Sequence, residues 1–199
     1  MKILALSDLH GDREQAKRMA ALGEKEHVDL VILAGDLMDR DIHFDGLIGP
    51  FKEKGLEVAI LPGNHEGMAH INFLCEKYKI RNLHGYSLKK GDIGIFGCGY
   101  ADVGPHQLTE QEFFKTLKDS HETIKDTKRK IMVTHIHPDK SIFGFGVFPG
   151  SSGVRKALDE FQPDIHICGH IHETEGIEEV IGNTKVINVG KKGRIIEIS

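Results

Sequence analysis

The sequence predicts an α/β fold, and three observations carry that prediction. Short apolar or β-branched runs bounded by Gly, Pro, Asp or His recur along the chain, amphipathic helical patterns separate them in the first half, and hairpin patterns crowd the second. The runs Ile3 to Ser7, Leu30 to Ala34, Glu57 to Leu61, Ile93 to Gly97, Ile131 to Thr134 and Ile165 to Cys168 have strand length, and several are apolar throughout, as strands covered on both faces are. Asp12 to Lys25 sets Ala16, Met19 and Ala20 on one stripe, and Met68 to Tyr78 sets Ile71, Leu74, Cys75 and Tyr78 on another, so both predict helices that cover a sheet. Tyr86 to Gly97 predicts a hairpin turning near Gly91-Asp92. Thr109-Glu110-Gln111-Glu112 has the form of a capping box, with Phe113, Phe114 and Leu117 at helical spacing behind it, which predicts a helix to about Thr127. Ser152 opens a further helix through Phe161, stopped by Pro163. At the C-terminal end Val180-Ile181, Lys185 to Val189 and Arg194 to Ile198 predict antiparallel strands joined by tight Gly-containing turns such as Gly182-Asn183. Lys140 to Gly153 is a Gly-rich loop, long for a compact domain.

A chain of 199 residues, 39% hydrophobic and 28% charged, is expected to form a single domain over 1–199 with a substantial core. The balance of 26 Lys+Arg against 30 Asp+Glu gives a formal charge of -4, which leaves no excess positive charge for a long phosphate backbone, so no long nucleic-acid partner is expected. The short basic clusters Lys89-Lys90, Lys128 to Lys130 and Lys191-Lys192 read as solvated surface. Cys75, Cys98 and Cys168 are odd in number and contain no CxxC, which fits a reducing compartment. No apolar run approaches bilayer length, so a cytoplasmic protein without a membrane partner is the expectation.

Thirteen histidines are unusual for this length, and many fall in polar clusters that directly follow expected strands. These are Asp8-Leu9-His10, Gly35 to Asp39, Gly63-Asn64-His65-Glu66, His135-Ile136-His137 and Gly169-His170-Ile171-His172. In open α/β sheets ligands bind beyond the carboxyl ends of strands, so five such ends carrying Asp, Asn and His predict one convergent site. Carboxylates, an amide and imidazoles without cysteine form an O/N donor set suited to Mn, Fe, Zn, Co or Ni. Residues two apart in a loop leaving a strand can point into one pocket, and the glycines let backbone approach closely.

The blocks D-x-H, G-D-x-x-D, G-N-H-E, a later H and G-H-x-H, in this order from Asp8 to His172, resemble the calcineurin-like metallophosphoesterase superfamily. The run GSSGVRKAL and the segment from Gly169 to Gly190 are similar to small prokaryotic phosphoesterases related to cyclic-nucleotide phosphodiesterases. The resemblance implies a four-layer α-β-β-α sandwich, two mixed sheets packed face to face with helices outside. It implies two divalent metal ions, manganese foremost: Asp8, His10 and His172 on one, Asn64, His135 and His170 on the other, Asp36 bridging them. A hydroxide shared by the ions would attack phosphorus, since two cations depress the pKa of bound water and clamp an in-line displacement. His65, with Asn64, would contact the phosphate and protonate the leaving group, oriented by Asp39. Two divalent ions less Asp8, Asp36 and hydroxide leave about +1, which balances a diester better than a dianionic monoester. Arg40 resembles an arginine of protein serine/threonine phosphatases and could supply the charge a monoester needs, but Asp41 and Pro62 depart from that subfamily's Gly and Arg. The expected activity is therefore hydrolysis of a small phosphodiester, cyclic nucleotides among the candidates, with phosphomonoesterase or a non-catalytic metal-binding scaffold as the rivals.

Blander readings apply elsewhere. His27, His43, His70, His84, His106 and His121 lie outside the motifs and read as surface or satisfied core residues, and His166 as buried. His137 could touch substrate or hold the loop before Pro138, and Glu66 could cap the helix that follows it. Phe143, Phe145 and Phe148 could wall the site beside a nucleotide, or the same loop could be a subunit contact in a homo-oligomer.

Overall fold

A computed structural model describes residues 1–38, 44 and 46–199. In chain order it contains β1 (Lys2–Leu6), α1 (Arg13–Lys25), β2 (Leu30–Ala34), α2 (Gly49–Glu53), β3 (Val58–Leu61), α3 (Met68–Tyr78), β4 (Arg81–Asn82) and β5 (Ser87–Lys90). It continues with β6 (Ile93–Cys98), α4 (Glu110–Glu122), β7 (Arg129–Thr134), α5 (Ser152–Phe161), β8 (Ile165–Cys168), β9 (Glu178–Ile181), β10 (Thr184–Asn188) and β11 (Arg194–Glu197). One sheet has the order β11-β1-β2-β3-β4 and the other β5-β6-β7-β8-β10-β9. β1 to β4 run parallel, as do β6, β7, β8 and β10, while β11, β5 and β9 add antiparallel edges.

The apolar residues sort by strand parity into three layers of core. Ile3, Leu30, Ile32 and Leu61 of the first sheet meet Ile95, Ile131, Val133, Ile167 and Ile187 of the second in the interior between the sheets. Their alternates Leu4, Leu6, Val31, Leu33 and Ile60 face outward against Ala16 and Ala20 of α1, Phe51 of α2, and Ile71 and Leu74 of α3. Behind the second sheet Phe96, Met132 and Val186 pack on Phe113 and Leu117 of α4 and on Val154, Ala157 and Leu158 of α5. Because β2 is buried on both faces, its sequence LVILA is apolar without alternation. Two mixed sheets with helices on both outer faces are the α-β-β-α sandwich.

α2 and β4 are not among the expected elements, and two of the expected ones differ in the structure. α4 ends at Glu122, five residues before Thr127, because the Ser120 and Thr123 hydroxyls bond backward to the Thr116 and Ser120 carbonyls and the next amides, Ile124 and Thr127, reach back only three residues. β11 does not pair with β10. After Asn188 the chain crosses to the other sheet and β11 pairs antiparallel with β1, which buries Ile196 and Ile198 between the sheets.

Candidate metal centre

β1, β2 and β3 end side by side in one sheet and β7 and β8 in the other, so the five polar loops that follow them meet at one edge of the sandwich. Hydrogen bonds tie the loops together within and between the sheets: Asp8 N donates to the Gly35 carbonyl at 3.0 Å, Gly169 N to His135 O at 2.9 Å, and, from one sheet to the other, His170 N to the Asp8 carboxylate at 3.1 Å. The loops approach closely enough that glycine is required at the contacts. A Cβ on Gly63 would lie 2.0 Å from Asp36 Oδ1, and one on Gly169 2.5 Å from Asp8 Oδ2. Asp8, His10, Asp36 and His170 take φ between 44° and 70°, the left-handed region that non-glycine residues rarely enter.

Ligand atoms gather in three overlapping groups, Asp8/His10/His172, Asp36/His135/His170 and His10/Asp36/His65, within each of which the atoms lie within 4.8 Å of one another. Asp36 Oδ2 stands 3.2 Å from His135 Nε2, 3.7 Å from His10 Nε2 and 3.8 Å from His65 Nε2, so one carboxylate serves imidazoles from three loops. His172 Nε2 is 3.5 Å from Asp8 Oδ1 and 3.2 Å from His10 Nε2. His135 Nδ1 donates to the Ala34 carbonyl at 2.9 Å, which leaves Nε2 facing Asn64 Oδ1 at 3.2 Å as well as Asp36. A neutral imidazole there would turn a lone pair on two oxygens, so the arrangement requires a cation between them, either a proton or a metal ion.

The electrostatics show the same demand. Burial would lower the His135 pKa, yet the charge of Asp36 and its hydrogen bond outweigh burial and raise it to about 10. Burial opposes ionisation of Asp36, but the His135 charge holds its carboxyl well below the usual range. Asp8 is lowered because the His172 hydrogen bond and neighbouring charge exceed the effect of its burial, and His172 is raised by that bond. Burial lowers His10, and burial together with the His135 charge lowers His170 to about 3, so these rings stay neutral with lone pairs available. The donor set fits divalent cations.

The structure brings Asp8, His10, Asp36, Asn64, His65, His135, His170 and His172 together, with the His65 side chain partly open to solvent. Asp39 and Arg40 lie outside the described residues, as does His43. His137 turns into the loop that follows it: its buried ring packs against Gly144 and Gly150, and Nε2 lies 3.3 Å from the Phe148 carbonyl. Phe143 is fully buried and is no part of a wall, whereas Phe145 and Phe148 are exposed. Cys168 and His166 are buried, His166 bonded to the Thr134 hydroxyl at 2.7 Å.

Glu66 has a different role from a helix cap. Fully buried, it accepts from the backbone N–H of Met38 at 2.8 Å, Gly63 at 2.9 Å and Asp36 at 3.1 Å, which joins the β2 loop to the β3 loop beneath the site. Burial first, then the Asp36 charge, pushes its pKa up to about 7 against these donors. Asn188 lies in the Gly169 to Gly190 segment but is not among the candidate site residues of the sequence. Its buried amide donates to Ile171 O and to Thr174 Oγ1, both at 2.8 Å, and its oxygen accepts from Gly190 N at 3.2 Å, which pins the 3-10 turn His172–Thr174.

An α-β-β-α sandwich with paired His/Asp clusters at its strand ends defines the class of metal-binding phosphoester hydrolases. A family model of the calcineurin-like phosphoesterases matches residues 1–174, and the chain belongs to that family. Members use a dinuclear divalent metal centre and act on phosphoester bonds. Among solved structures, TT1561 of Thermus thermophilus is 20% identical, with 98% of this chain and 97% of that one covered and a TM-score of 0.78. An archaeal phosphodiesterase is 18% identical over 98% and 99% with a TM-score of 0.58, and a dimetal phosphatase from Danio rerio is 12% identical over 94% and 86% with a TM-score of 0.66. These likenesses show the fold. A search of curated proteins finds no match. Among the described residues no helix is long and apolar enough to cross a membrane.

Proposed function

We propose that this protein hydrolyses small phosphodiesters with two divalent cations, manganese first among the candidates, held by Asp8, His10 and His172 on one side and Asn64, His135 and His170 on the other, with Asp36 between. The observation that carries this reading is the position of Asp36 Oδ2 within 3.8 Å of imidazole nitrogens from three separate loops. When bound, the cations would polarise the phosphoryl oxygens and acidify a water. The chain's own groups do the rest. Glu66 and the inter-loop hydrogen bonds hold Asp36 in place before substrate arrives, His135 faces the Asn64 amide oxygen, and Asn64 and His65 would contact the phosphate. His65, its backbone fixed by Asp36 Oδ1 at 3.1 Å and its ring 4.9 Å from that of His10, donates a proton from its imidazole to the departing alkoxide. Diesters are favoured because the two carboxylates and an attacking anion leave about one positive charge to neutralise. Cyclic nucleotides are the first small diesters to try, no long nucleic acid or membrane is needed, and the protein works in the cytoplasm.

The test is hydrolysis of a chromogenic phosphodiester and the matching monoester by metal-stripped protein reloaded with Mn, Zn, Fe, Co or Ni, with Asp36→Asn as blank. Diester cleavage that needs metal and vanishes in the blank supports the reading. Preference for the monoester would favour the phosphatase alternative and an anion-binding role for Arg40, and metal binding without turnover of either ester would favour a scaffold.

A further inference from the structure

One segment outside every motif closes on the Gly63-Asn64-His65-Glu66 loop. It runs from the end of β6 to the start of α4, residues 99–107, and it touches the loop at Asn64 and the flanking residues Pro62 and Gly67. A Cβ on Gly99 would lie 2.3 Å from the Pro62 carbonyl oxygen, and Tyr100 N donates to that same oxygen at 2.9 Å. The His106 ring lies against Gly67, where an added Cβ would be 3.0 Å from Cε1. Between these contacts Gly104, at φ +93°, rests on the ligand candidate itself: a Cβ there would lie 2.5 Å from Asn64 Nδ2 and 3.1 Å from Asn64 Cβ and Cγ.

The segment is itself braced. Leu108 N donates to Ala101 O at 3.2 Å, Gln107 Nε2 to Gly104 O at 2.6 Å, and Gly99 N to His84 Nδ1 at 3.0 Å. The Tyr100 ring stands between those of His84 and His106, with centroids 5.0 and 6.0 Å away. Tyr100 has φ 73°, unfavourable for an aromatic residue, and a fold keeps such a conformation only where its surroundings fix it.

We infer that residues 99–107 position Asn64, with Gly104 as the positioning residue that sets where the Asn64 amide stands relative to His135. The inference rests on the two-metal reading for its consequence, because Asn64 Oδ1 and His135 Nε2 belong to only one of the two ligand sets. Displacing Asn64 therefore weakens one cation and leaves the Asp8/His10/His172 set intact. A glycine is needed at 104 for two separate reasons, its positive φ and the lack of room above Asn64, and the two are separable by experiment. Gly91, at φ +58° in the hairpin between β5 and β6, has nothing within 4 Å of an added Cβ, so Gly91→Ala carries left-handed backbone strain, milder than that at +93°, without a clash.

The experiment compares Gly104→Ala with Gly91→Ala in two readouts on metal-stripped protein: the side-chain amide resonance of Asn64, and a manganese titration. The expected result for Gly104→Ala is a displaced Asn64 resonance before any metal is added, and an affinity about 10- to 100-fold weaker for one of two equivalents, as when an orienting partner of a ligand is lost. In an Asn64→Gly background, which removes Cβ as well as the amide and so leaves the added methyl room, Gly104→Ala should cause no further loss of that equivalent. If Gly104→Ala proves too unstable, Gln107→Leu removes the bond to the Gly104 carbonyl without adding bulk at 104 and should move the same resonance. An unmoved Asn64 resonance, equal loss of both equivalents, or additive losses in the double variant would overturn the inference. Failure of the wild-type protein to take two equivalents would instead count against the two-metal reading, and the metal-free resonance would still decide whether Gly104 positions Asn64.

Discussion

Glu66 gives the sharpest test of how the site is held. Its carboxylate is fully buried and takes three backbone N–H groups, two from the β2 loop and one from the β3 loop, at 2.8 to 3.1 Å. Glu66→Ala leaves three buried donors without a partner. Each such donor costs about 1–3 kcal/mol. The wild-type carboxylate is itself expensive to bury, as its elevated pKa shows, so the sum overstates the net loss. The lower part of the summed range, about 3–5 kcal/mol for the three donors together, is therefore the expected destabilisation. For a chain of this size each kcal/mol moves Tm by roughly 2–4 °C, so Glu66→Ala should melt about 6–20 °C below wild type. Glu66→Gln keeps the shape and one oxygen but turns an NH2 toward at least one donor, and should fall between the two. Calorimetry and urea unfolding of all three proteins without metal provide the measurement. A Glu66→Ala protein within about 1 kcal/mol of wild type would show that water replaces the carboxylate and that the inter-loop bridge does not hold the site.

Other perturbations separate further roles. Asp36→Asn should abolish ester hydrolysis and reduce bound metal, whereas His65→Ala should keep its metal and slow turnover most for poor leaving groups, and metal analysis beside leaving-group dependence distinguishes them. Asn188→Ala, which frees the His172–Thr174 turn, should cost about 2–4 kcal/mol in urea unfolding and weaken the cation held by His172 about tenfold or more, with the other cation unaffected. His84 gives a pH dependence whose sign is fixed. Burial lowers its pKa from 6.5 to about 4, so between these values the unfolded chain binds a proton that the native state does not. Stability must fall as pH drops through that window and stay level with respect to His84 above it. His84→Phe should flatten the slope of stability against pH by up to one proton, and an unchanged slope would show that His84 is already charged in the fold.

How far the sequence reaches depends on whether a feature is local. The run Leu30 to Ala34 and the helix Met68–Tyr78 have their observed bounds in the pattern, because burial on both faces of a strand or on one stripe of a helix is written directly into residue order. β11 has strand character in its residues, but nothing in Arg194 to Glu197 says that its partner is β1, nearly 200 residues earlier, rather than β10. Pairing there is decided by where Ile196 and Ile198 find cover. The same division runs through the site. The Asp, Asn and His of the strand ends are legible as types that belong together, and the structure gathers them at one edge. Glu66 stands in plain view within its motif, yet two of its three donors arrive from residues 28 and 30 positions earlier. Asn188 and Gly104 act on ligand candidates 16 and 40 residues away, so their immediate neighbours in sequence do not say what they hold.

These non-local supports explain how strained ligand positions persist. Four of the ten non-glycine residues with positive φ among those described are Asp8, His10, Asp36 and His170. Each such conformation is unfavourable by itself, of order 1–3 kcal/mol, and four at one edge would open the loops if nothing opposed them. The opposition is visible. Asp8 N bonds to Gly35 O and His10 N to Asp36 O, Asp36 N bonds to Glu66, and His170 N to the Asp8 carboxylate, so every strained residue donates its amide to another part of the same cluster. The strain is therefore shared by a closed network whose members hold one another, and a substitution that breaks one member should loosen ligand candidates on loops it never touches.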